Sequence, residues 1–129
     1  MNIQPLCGRL GLAVCDYERR KLMWQMGLAQ AMHQPPLTES IPEIIETKLL
    51  EPLSRELRRQ TGRDIRYRRI SLNAFQLLSG GKPFARLSLP NPDTGRVFIK
   101  YLDPCGRQCT PTKELRNTDE ITGHLLSHP

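Results

Sequence analysis

A change of hydrophobic pattern at Gly62 divides the chain into a helical part and a strand-rich part. Before Gly62, apolar residues recur at every fourth position, the spacing of one helix face. These positions are Ile41, Ile45, Leu49, Leu53 and Leu57. After Gly62, apolar residues fall in short runs bounded by turn residues, which is typical of strands. Helices followed by an antiparallel sheet predict a fold of the α+β class.

The first helix is predicted over residues 17–32, with Asp16 as its N-cap and one broad apolar face. Prolines at positions 35 and 36 end it, because the residue before a proline avoids helical geometry. Residues 1–15 contain glycines among mixed residue types. We expect them to form an irregular lead-in with a short strand at residues 10–14.

The second helix is predicted to begin at Ser40-Ile41-Pro42-Glu43, which has capping-box spacing and a proline in the first turn. Pro52 is expected to kink this helix or to split it near Leu50. Gly62 is a natural C-terminal stop.

Three strands are predicted after Gly62, over residues 64–72, 84–89 and 96–102. Residues 73–78 are ambiguous. Two runs of turn residues separate the strands, and Asn91-Pro92-Asp93-Thr94-Gly95 is the stronger hairpin signal of the two.

The last quarter of the chain carries a C-x3-C-x14-H-x3-H pattern. Its members are Cys105, Cys109, His124 and His128. Two cysteines on a tight turn and two histidines one helical turn apart suit tetrahedral Zn2+. Residues 97–128 resemble a Cys2His2 zinc finger, with Leu115 and Ile121 at the family's core spacing. The resemblance implies one structural Zn2+ bound by the four side chains. The alternative is two free thiols and two surface imidazoles.

This segment departs from the finger pattern where the family reads DNA. The positions that would face bases are Asn117, Glu120 and Gly123. Glycine contacts no base, and a carboxylate repels phosphate. We therefore expect the metal to join the C-terminus to the sheet rather than to read a base sequence.

The expected architecture is one α+β domain over all 129 residues. Two N-terminal helices occupy residues 1–62, and an antiparallel three-stranded meander occupies residues 63–104. A zinc-stapled C-terminal helix closes the chain over residues 105–129.

Residues 55–69 contain seven arginines and two carboxylates, which leaves +5 of the chain's net charge of +6. The arginines are Arg55, Arg58, Arg59, Arg63, Arg66, Arg68 and Arg69. Arg66 and Arg68 are expected on one side of a strand, with Tyr67 and Arg69 on the other. Such a cluster can neutralise several phosphates, and Tyr67 offers a ring on which an unpaired base can stack.

These features lead to two hypotheses of function. The leading one is a small nucleic-acid-binding or accessory protein, for DNA or RNA, in which the arginines contact phosphate and Zn2+ orders the fold. The alternative is a protein-binding adaptor or inhibitor that docks the same arginines on an acidic surface of a larger complex. A solvated face, with Glu46, Glu51 and Glu56 pairing the arginines, is the simplest interpretation of the cluster.

An enzyme is not expected, because no nucleophile, base and oxyanion donor can be assembled from the spacings. No run approaches the roughly 20 apolar residues that span a bilayer, and no leader peptide is recognisable at the start. We expect a cytoplasmic protein without a membrane partner and with reduced cysteines. Cys7 and Cys15 have no histidine nearby and are expected to be small buried thiols.

Overall fold

The computed structural model describes residues 2–27 and 39–127. The described helical segments are α1 (Gln4–Gln25), α2 (Ile41–Ile45), a π-helical turn (Glu46–Leu50), α3 (Glu51–Thr61) and α4 (Asp119–Ser127). The strands are β1 (Ile65–Ser71), β2 (Ala74–Ser79), β3 (Lys82–Ser88), β4 (Phe98–Tyr101) and β5 (Lys113–Glu114), and a 3-10 turn lies at Pro92–Thr94. The strands form one antiparallel sheet in the order β1-β2-β3-β4-β5.

The prediction of a three-stranded meander is wrong, because the sheet has five strands. β2 occupies the segment that the sequence left ambiguous, since its short, mostly apolar run suits a strand as well as a helix. β5 pairs with β4 through only two residues, too few to leave a pattern in the sequence. The sheet therefore extends beyond residue 104, into the segment predicted to bind zinc.

The predicted zinc-stapled helix is also a wrong description of how α4 is held. Among residues 2–27 and 39–127, no group of three or more His, Cys, Asp or Glu side chains is placed to hold a metal ion. Ile121 and Leu125 of α4 are instead buried in the core. Gln60 of α3 donates to Thr118 Oγ1 at 3.2 Å and accepts from Thr122 Oγ1 at 2.8 Å. Apolar packing and this amide hold α4 on the domain.

α1 begins at Gln4, so the irregular lead-in and the strand at residues 10–14 are wrong. Leu6, Leu10 and Val14 form a buried stripe at helical spacing, which the intervening glycines obscured in the sequence. Asp16 lies inside the helix rather than at its N-cap. Of the helix predicted over residues 17–32, the part beyond Gln25 is not helical at Met26 and Gly27, and residues 28–32 lie outside the described residues.

Two glycines let α1 lie directly against the turn between β3 and β4. A Cβ added to Gly11 would lie 3.0 Å from the carbonyl oxygen of Asp93, and one added to Gly95 would lie 2.2 Å from that of Cys7. Gly95 also has a φ of +71°, in the left-handed region that favours glycine. The helix and the turn therefore pack backbone to backbone.

Pro52 is accommodated by the π-helical turn rather than by a break in the helix. Proline has no N–H, and its ring would collide with the carbonyl of Lys48 in a regular α-helix. The wider turn at Glu46–Leu50 relieves this conflict, and the flanking residues keep right-handed helical angles. The helix ends at Gly62, which has a φ of 69°, as predicted.

The tight hairpin of the sheet lies at Gly80-Gly81 and not at the turn with the stronger sequence signal. Gly80 and Gly81 both have positive φ, 58° and 84°, as a two-residue hairpin loop with matching twist requires. Ser79 consequently pairs with Lys82. The predicted turn at 91–95 forms part of a longer connection from β3 to β4, with the 3-10 turn inside it.

One cluster of buried side chains joins the helices to one face of the sheet. It includes Leu10, Val14, Leu53, Leu57, Ile121 and Leu125 from the helices and Phe75, Leu77, Leu87 and Ile99 from the sheet. Apart from Ala74 and Phe84, the side chains that alternate with the buried sheet residues are not buried. They are Arg66, Arg68, Gln76, Leu78, Arg86, Ser88, Phe98 and Lys100. The sheet thus has a core face and an accessible face.

The first described residues pair with the segment between β5 and α4. Asn2 forms an isolated bridge with Asn117, and the backbone N–H of Ile3 donates to the carbonyl oxygen of Arg116 at 3.2 Å. Ile3 is fully buried in the core cluster. The start of α1 is therefore fastened to the segment that leads into α4.

Candidate nucleic-acid interface

The arginines that are adjacent in sequence lie on two different surfaces. Arg66 and Arg68 lie on the accessible face of the sheet, opposite Leu78 and Gln76. Tyr67 and Arg69 alternate with them and lie on the side of β1 that faces the helices, as does buried Ile65. The remaining arginines, Arg55, Arg58, Arg59 and Arg63, lie on α3 and on the link from α3 to β1.

A line of polar and basic side chains crosses the accessible face. Arg68 pairs with Gln76, Gln76 with Arg86, and Arg86 with Lys100, in consecutive strand registers. We call these four residues the cationic row. Neighbouring strands are about 4.8 Å apart, so the cationic row spans roughly 14 Å perpendicular to the strands.

Few acidic groups compensate the cationic row. Arg68 Nε donates to the neutral amide of Gln76 at 2.8 Å. Within the described residues, neither Arg86 nor Lys100 forms an ion pair, and the buried Nε atom of Arg86 has no hydrogen-bond partner. Beside the row, Arg66 Nε lies 3.1 Å from Asp64 Oδ1, in a pair whose side chains are 74% and 60% exposed. Exposed pairs of this kind are weak, so Arg66 can exchange Asp64 for another anion.

An aromatic ring flanks the cationic row. Phe98 lies on the same face of β4 as Lys100 and is half-buried. The guanidinium of Arg96 lies 5.4 Å from the centroid of the Phe98 ring and donates to both carboxylate oxygens of Glu114, at 3.3 and 3.2 Å. This pairing raises the pKa of Arg96 and lowers the pKa of Glu114. Because the guanidinium lies over the ring, a base can stack on the exposed guanidinium or take its place on the ring of Phe98.

Sequence reasoning missed Arg86, Lys100 and Phe98. They are isolated in the sequence and reach Arg68 only through the registers of three strand pairs. The alternation within residues 84–89 and 96–102 was a usable signal, because it places Arg86 and Lys100 opposite the apolar positions of their strands.

Two of the α3 arginines have structural partners. Arg58 Nη1 donates to the carbonyl oxygen of Ile65 at 2.7 Å, which fastens the end of α3 to β1. Arg59 forms an ion pair with Glu56, with Nε 3.1 Å from Oε2. Hydrogen bonds from Arg59 and Gln60 lower the pKa of Glu56 to about 2. Among the arginines of residues 55–69, Arg59 therefore pairs with a neighbouring glutamate, as expected for a solvated face.

Tyr67 is a less open ring than the sequence suggested. It is half-buried against the core, and its hydroxyl donates to Glu51 Oε1 at 3.3 Å. Burial, together with the charges of Glu51 and Glu46, raises the pKa of Tyr67. On the accessible face, the aromatic ring that lies near the basic side chains is that of Phe98 rather than that of Tyr67.

Three of the four predicted metal ligands lie in the described residues, and the structure does not assemble them. Cys105 is exposed in the turn after β4, where its backbone N–H donates to Asp103 Oδ1 at 2.9 Å. The Cys109 thiol lies 3.5 Å from the carbonyl oxygen of Tyr101. The His124 ring stacks on the ring of Tyr101, with centroids 4.1 Å apart.

His128 lies outside the described residues. As placed, the three described side chains do not form the closed set of ligands that structural zinc requires. Zinc binding by these side chains remains a prediction.

The two N-terminal cysteines differ in their surroundings. Cys7 is buried, and burial together with the charge of Glu114 raises its pKa to about 11. Cys15 is exposed, with its thiol 3.6 Å from the carbonyl oxygen of Asp93, so the expectation that it is buried is wrong. Neither forms a disulfide.

Within the described residues, no helix combines the length and apolar character needed to cross a membrane. Comparison of the chain with models of protein families, with curated proteins and with solved structures finds no match. What the molecule does must therefore be inferred from the geometry of its own surfaces.

Proposed function

We propose that the accessible face of the sheet binds the phosphate backbone of a nucleic acid. The observation that carries this proposal is the cationic row, in which strand registers align Arg68, Arg86 and Lys100. Arg66 extends the same surface along β1. Arginine presents a planar fork that matches phosphate oxygens, and lysine adds a point charge.

The balance of charge on this face supports an anionic ligand. The nearby carboxylates, Asp64 and Glu114, are each engaged by an arginine. No acid occupies the cationic row itself, so binding a phosphate there displaces no carboxylate. Contacts of this kind position a nucleic acid without reading its sequence.

The shape of the face favours a single strand. The strands present side chains on a broad surface rather than a helix that could enter a major groove. The ring of Phe98 with Arg96 beside it adds a stacking position next to the line of phosphate contacts. We therefore expect unpaired DNA or RNA to bind better than duplex.

Fluorescence anisotropy with labelled oligothymidine and oligouridine, measured across a salt series, tests the proposal. The triple variant Arg68→Ala/Arg86→Ala/Lys100→Ala should bind more weakly at low salt. Its plot of log affinity against log salt should be shallower by roughly 2, because each phosphate contact to a single strand contributes about 0.7 to that slope.

A matched control removes the same charge from the helical side of the molecule. Arg9→Ala/Lys21→Ala/Lys48→Ala should leave the slope close to that of the parent chain. Equal loss of oligonucleotide affinity in both triple variants would show that binding depends only on the net charge of the protein. Absence of binding by the parent chain at low salt would refute the proposal.

A further inference from the structure

The outer edge of β1 presents unpaired backbone groups. β1 is the first strand of the sheet and pairs only with β2 among the described strands. The backbone N–H of Gly80 donates to the carbonyl oxygen of Asp64 at 3.1 Å, so residue 64 directs its backbone toward β2. Hydrogen bonding alternates along an antiparallel strand, so residues 66 and 68 also face β2. Residues 65, 67 and 69 direct their N–H and C=O groups outward.

The outward groups of Ile65 are occupied, and those of Tyr67 and Arg69 are not. The N–H of Ile65 donates to the carbonyl oxygen of Arg63 at 3.0 Å, and its own carbonyl accepts from Arg58. In the part of the chain that the structure describes, the outward N–H and C=O groups of Tyr67 and Arg69 have no backbone partner. Two residues of β1 thus retain the hydrogen-bonding pattern that a further strand would complete.

The surroundings of this edge are basic. A shallow cavity of about 480 Å³ beside it is lined by Arg58, Asp64, Arg66 and Tyr67. Asp64 is engaged by Arg66, and Glu51 accepts the hydroxyl of Tyr67. On α3, Arg55 lies one helical turn from both Glu51 and Arg58, whose side chains contact β1. The side chains of three arginines of this region make no ion pair or hydrogen bond among the described residues. They are Arg55, Arg63 and Arg69.

We infer that the β1 edge binds an extended acidic segment of a partner protein, which adds a strand to the sheet beside Tyr67 and Arg69. Main-chain hydrogen bonds would supply the pairing, as in other cases of strand addition, and carboxylates of the segment would meet Arg55, Arg63 and Arg69. Arg68 of the cationic row lies on the same strand, but the edge uses the outward backbone groups of Tyr67 and Arg69, so the inference does not rest on nucleic-acid binding.

The chemistry of the edge favours an acidic peptide over the other occupants. A second copy of β1 would bring its own Arg66, Arg68 and Arg69 against the same residues, and like charges across a strand pair are destabilising. A nucleic-acid backbone can accept from the outward N–H groups, but its phosphates have no donor for the outward carbonyls. An extended peptide supplies both donors and acceptors.

The test uses the complete chain labelled with 15N and a synthetic peptide in which glutamate alternates with threonine and valine. Addition of the peptide should shift the amide signals of Tyr67 and Arg69 and slow their hydrogen exchange by about tenfold or more at saturation. A second peptide has the same sequence and charge but carries N-methyl groups on the residues that would face β1. It should bind at least about fivefold more weakly, because it has lost its donors.

Variants of the protein separate main-chain pairing from charge. Arg69→Pro removes an outward N–H without removing a bond to β2, and should weaken the unmethylated peptide severalfold. Arg55→Glu/Arg63→Glu should weaken both peptides. The control Arg9→Glu/Lys21→Glu makes the same charge change on α1 and should affect binding much less. Thermal unfolding followed by circular dichroism establishes that each variant is folded.

Three results would overturn the inference. Equal binding of the two peptides would show that charge alone is recognised. Failure of either peptide to shift Tyr67 and Arg69 would show that the edge does not accept a strand. Shifts of those two amides with oligothymidine and not with peptide would assign the edge to nucleic acid. The oligonucleotide titrations test the cationic row in a separate experiment. Nucleic-acid binding by the cationic row and strand addition at the β1 edge can therefore each be refuted alone.

Discussion

Gly95 is the residue at which the fold tolerates an added side chain least. Its Cβ would lie 2.2 Å from the carbonyl oxygen of Cys7, and its φ is +71°. Left-handed geometry costs a residue with a Cβ about 1–2 kcal/mol, and forced displacement in a packed region costs about 1–3 kcal/mol more. We expect Gly95→Ala to lower the free energy of unfolding by about 3 kcal/mol, measured by urea denaturation.

Gly106 provides the control for this prediction. It has a φ of +83°, but nothing lies within 4 Å of an added Cβ. Gly106→Ala should therefore show only the cost of the backbone angle, about 1–2 kcal/mol. Equal losses in the two variants would mean that α1 does not lie against the turn at Gly95 as described.

Glu56 should make stability depend on pH below its ordinary pKa of 4.5. Its folded-state pKa is lowered to about 2, chiefly by the hydrogen bond from Arg59. A carboxyl with a lowered folded pKa stabilises the fold above pH 4.5, and this contribution disappears as the pH falls toward 2. The Glu56→Gln variant should be less stable than the parent chain at pH 7, with the difference vanishing near pH 2.

Urea denaturation at several pH values measures this difference. Glu18→Gln, which changes an exposed glutamate on α1, is measured under the same conditions as the reference for the loss of one carboxylate. A difference between Glu56→Gln and the parent chain that stays constant from pH 7 to about 2 would contradict the assignment.

At the scale of helices and strands, the periodic patterns of the sequence were sufficient to predict an element that is long and has one buried face. The repeat from Ile41 to Leu57 predicted the helix that ends at Gly62, and alternating runs placed β1, β3 and β4 near their observed bounds. The start of α1 was missed because Gly8 and Gly11 interrupt its pattern, although Gly11 serves close packing rather than a loop. β5 was missed because its pairing depends on a strand distant in sequence.

We expect α4 to be held in place by Gln60 rather than by a metal ion bound to the cysteines and histidines of the last quarter of the chain. Gln60 bonds to Glu56, Thr118 and Thr122, and loss of such bonds costs about 1 kcal/mol each. Gln60→Ala should accelerate hydrogen exchange of α4 amides about tenfold or more. Cys105→Ser/Cys109→Ser and added chelator should leave that exchange unchanged. One bound zinc per chain, with faster exchange of α4 after chelation, would contradict this account.

Across the whole molecule, the basic character predicted from one segment is distributed over two surfaces. The run of arginines at residues 55–69 appears continuous along the chain, but the alternation of β1 and the position of α3 separate its members. The cationic row could not be predicted, because it depends on which residues the registers place opposite one another. A count of charge along the sequence therefore singled out α3 and β1 and missed Arg86 of β3 and Lys100 of β4.

The separation of the two surfaces leads to a prediction for the intact protein. If oligothymidine binds the cationic row and the acidic peptide binds the β1 edge, both should bind the same molecule at once. Because both ligands are anionic, saturation with one should weaken the other, by less than about tenfold. Anisotropy of the labelled oligonucleotide at saturating peptide measures this coupling. Complete mutual exclusion would show that the two surfaces act as one site.

The contact of Ile3 with Arg116 has a consequence for how the chain matures on the ribosome. Arg116, whose carbonyl oxygen accepts from the N–H of Ile3, is synthesised more than a hundred residues after Ile3. Until then the first turn of α1 lacks the backbone pairing that fastens it to the segment before α4. Fastening of the start of α1 therefore has to wait for synthesis of the segment before α4, and contacts so far apart in sequence also form slowly.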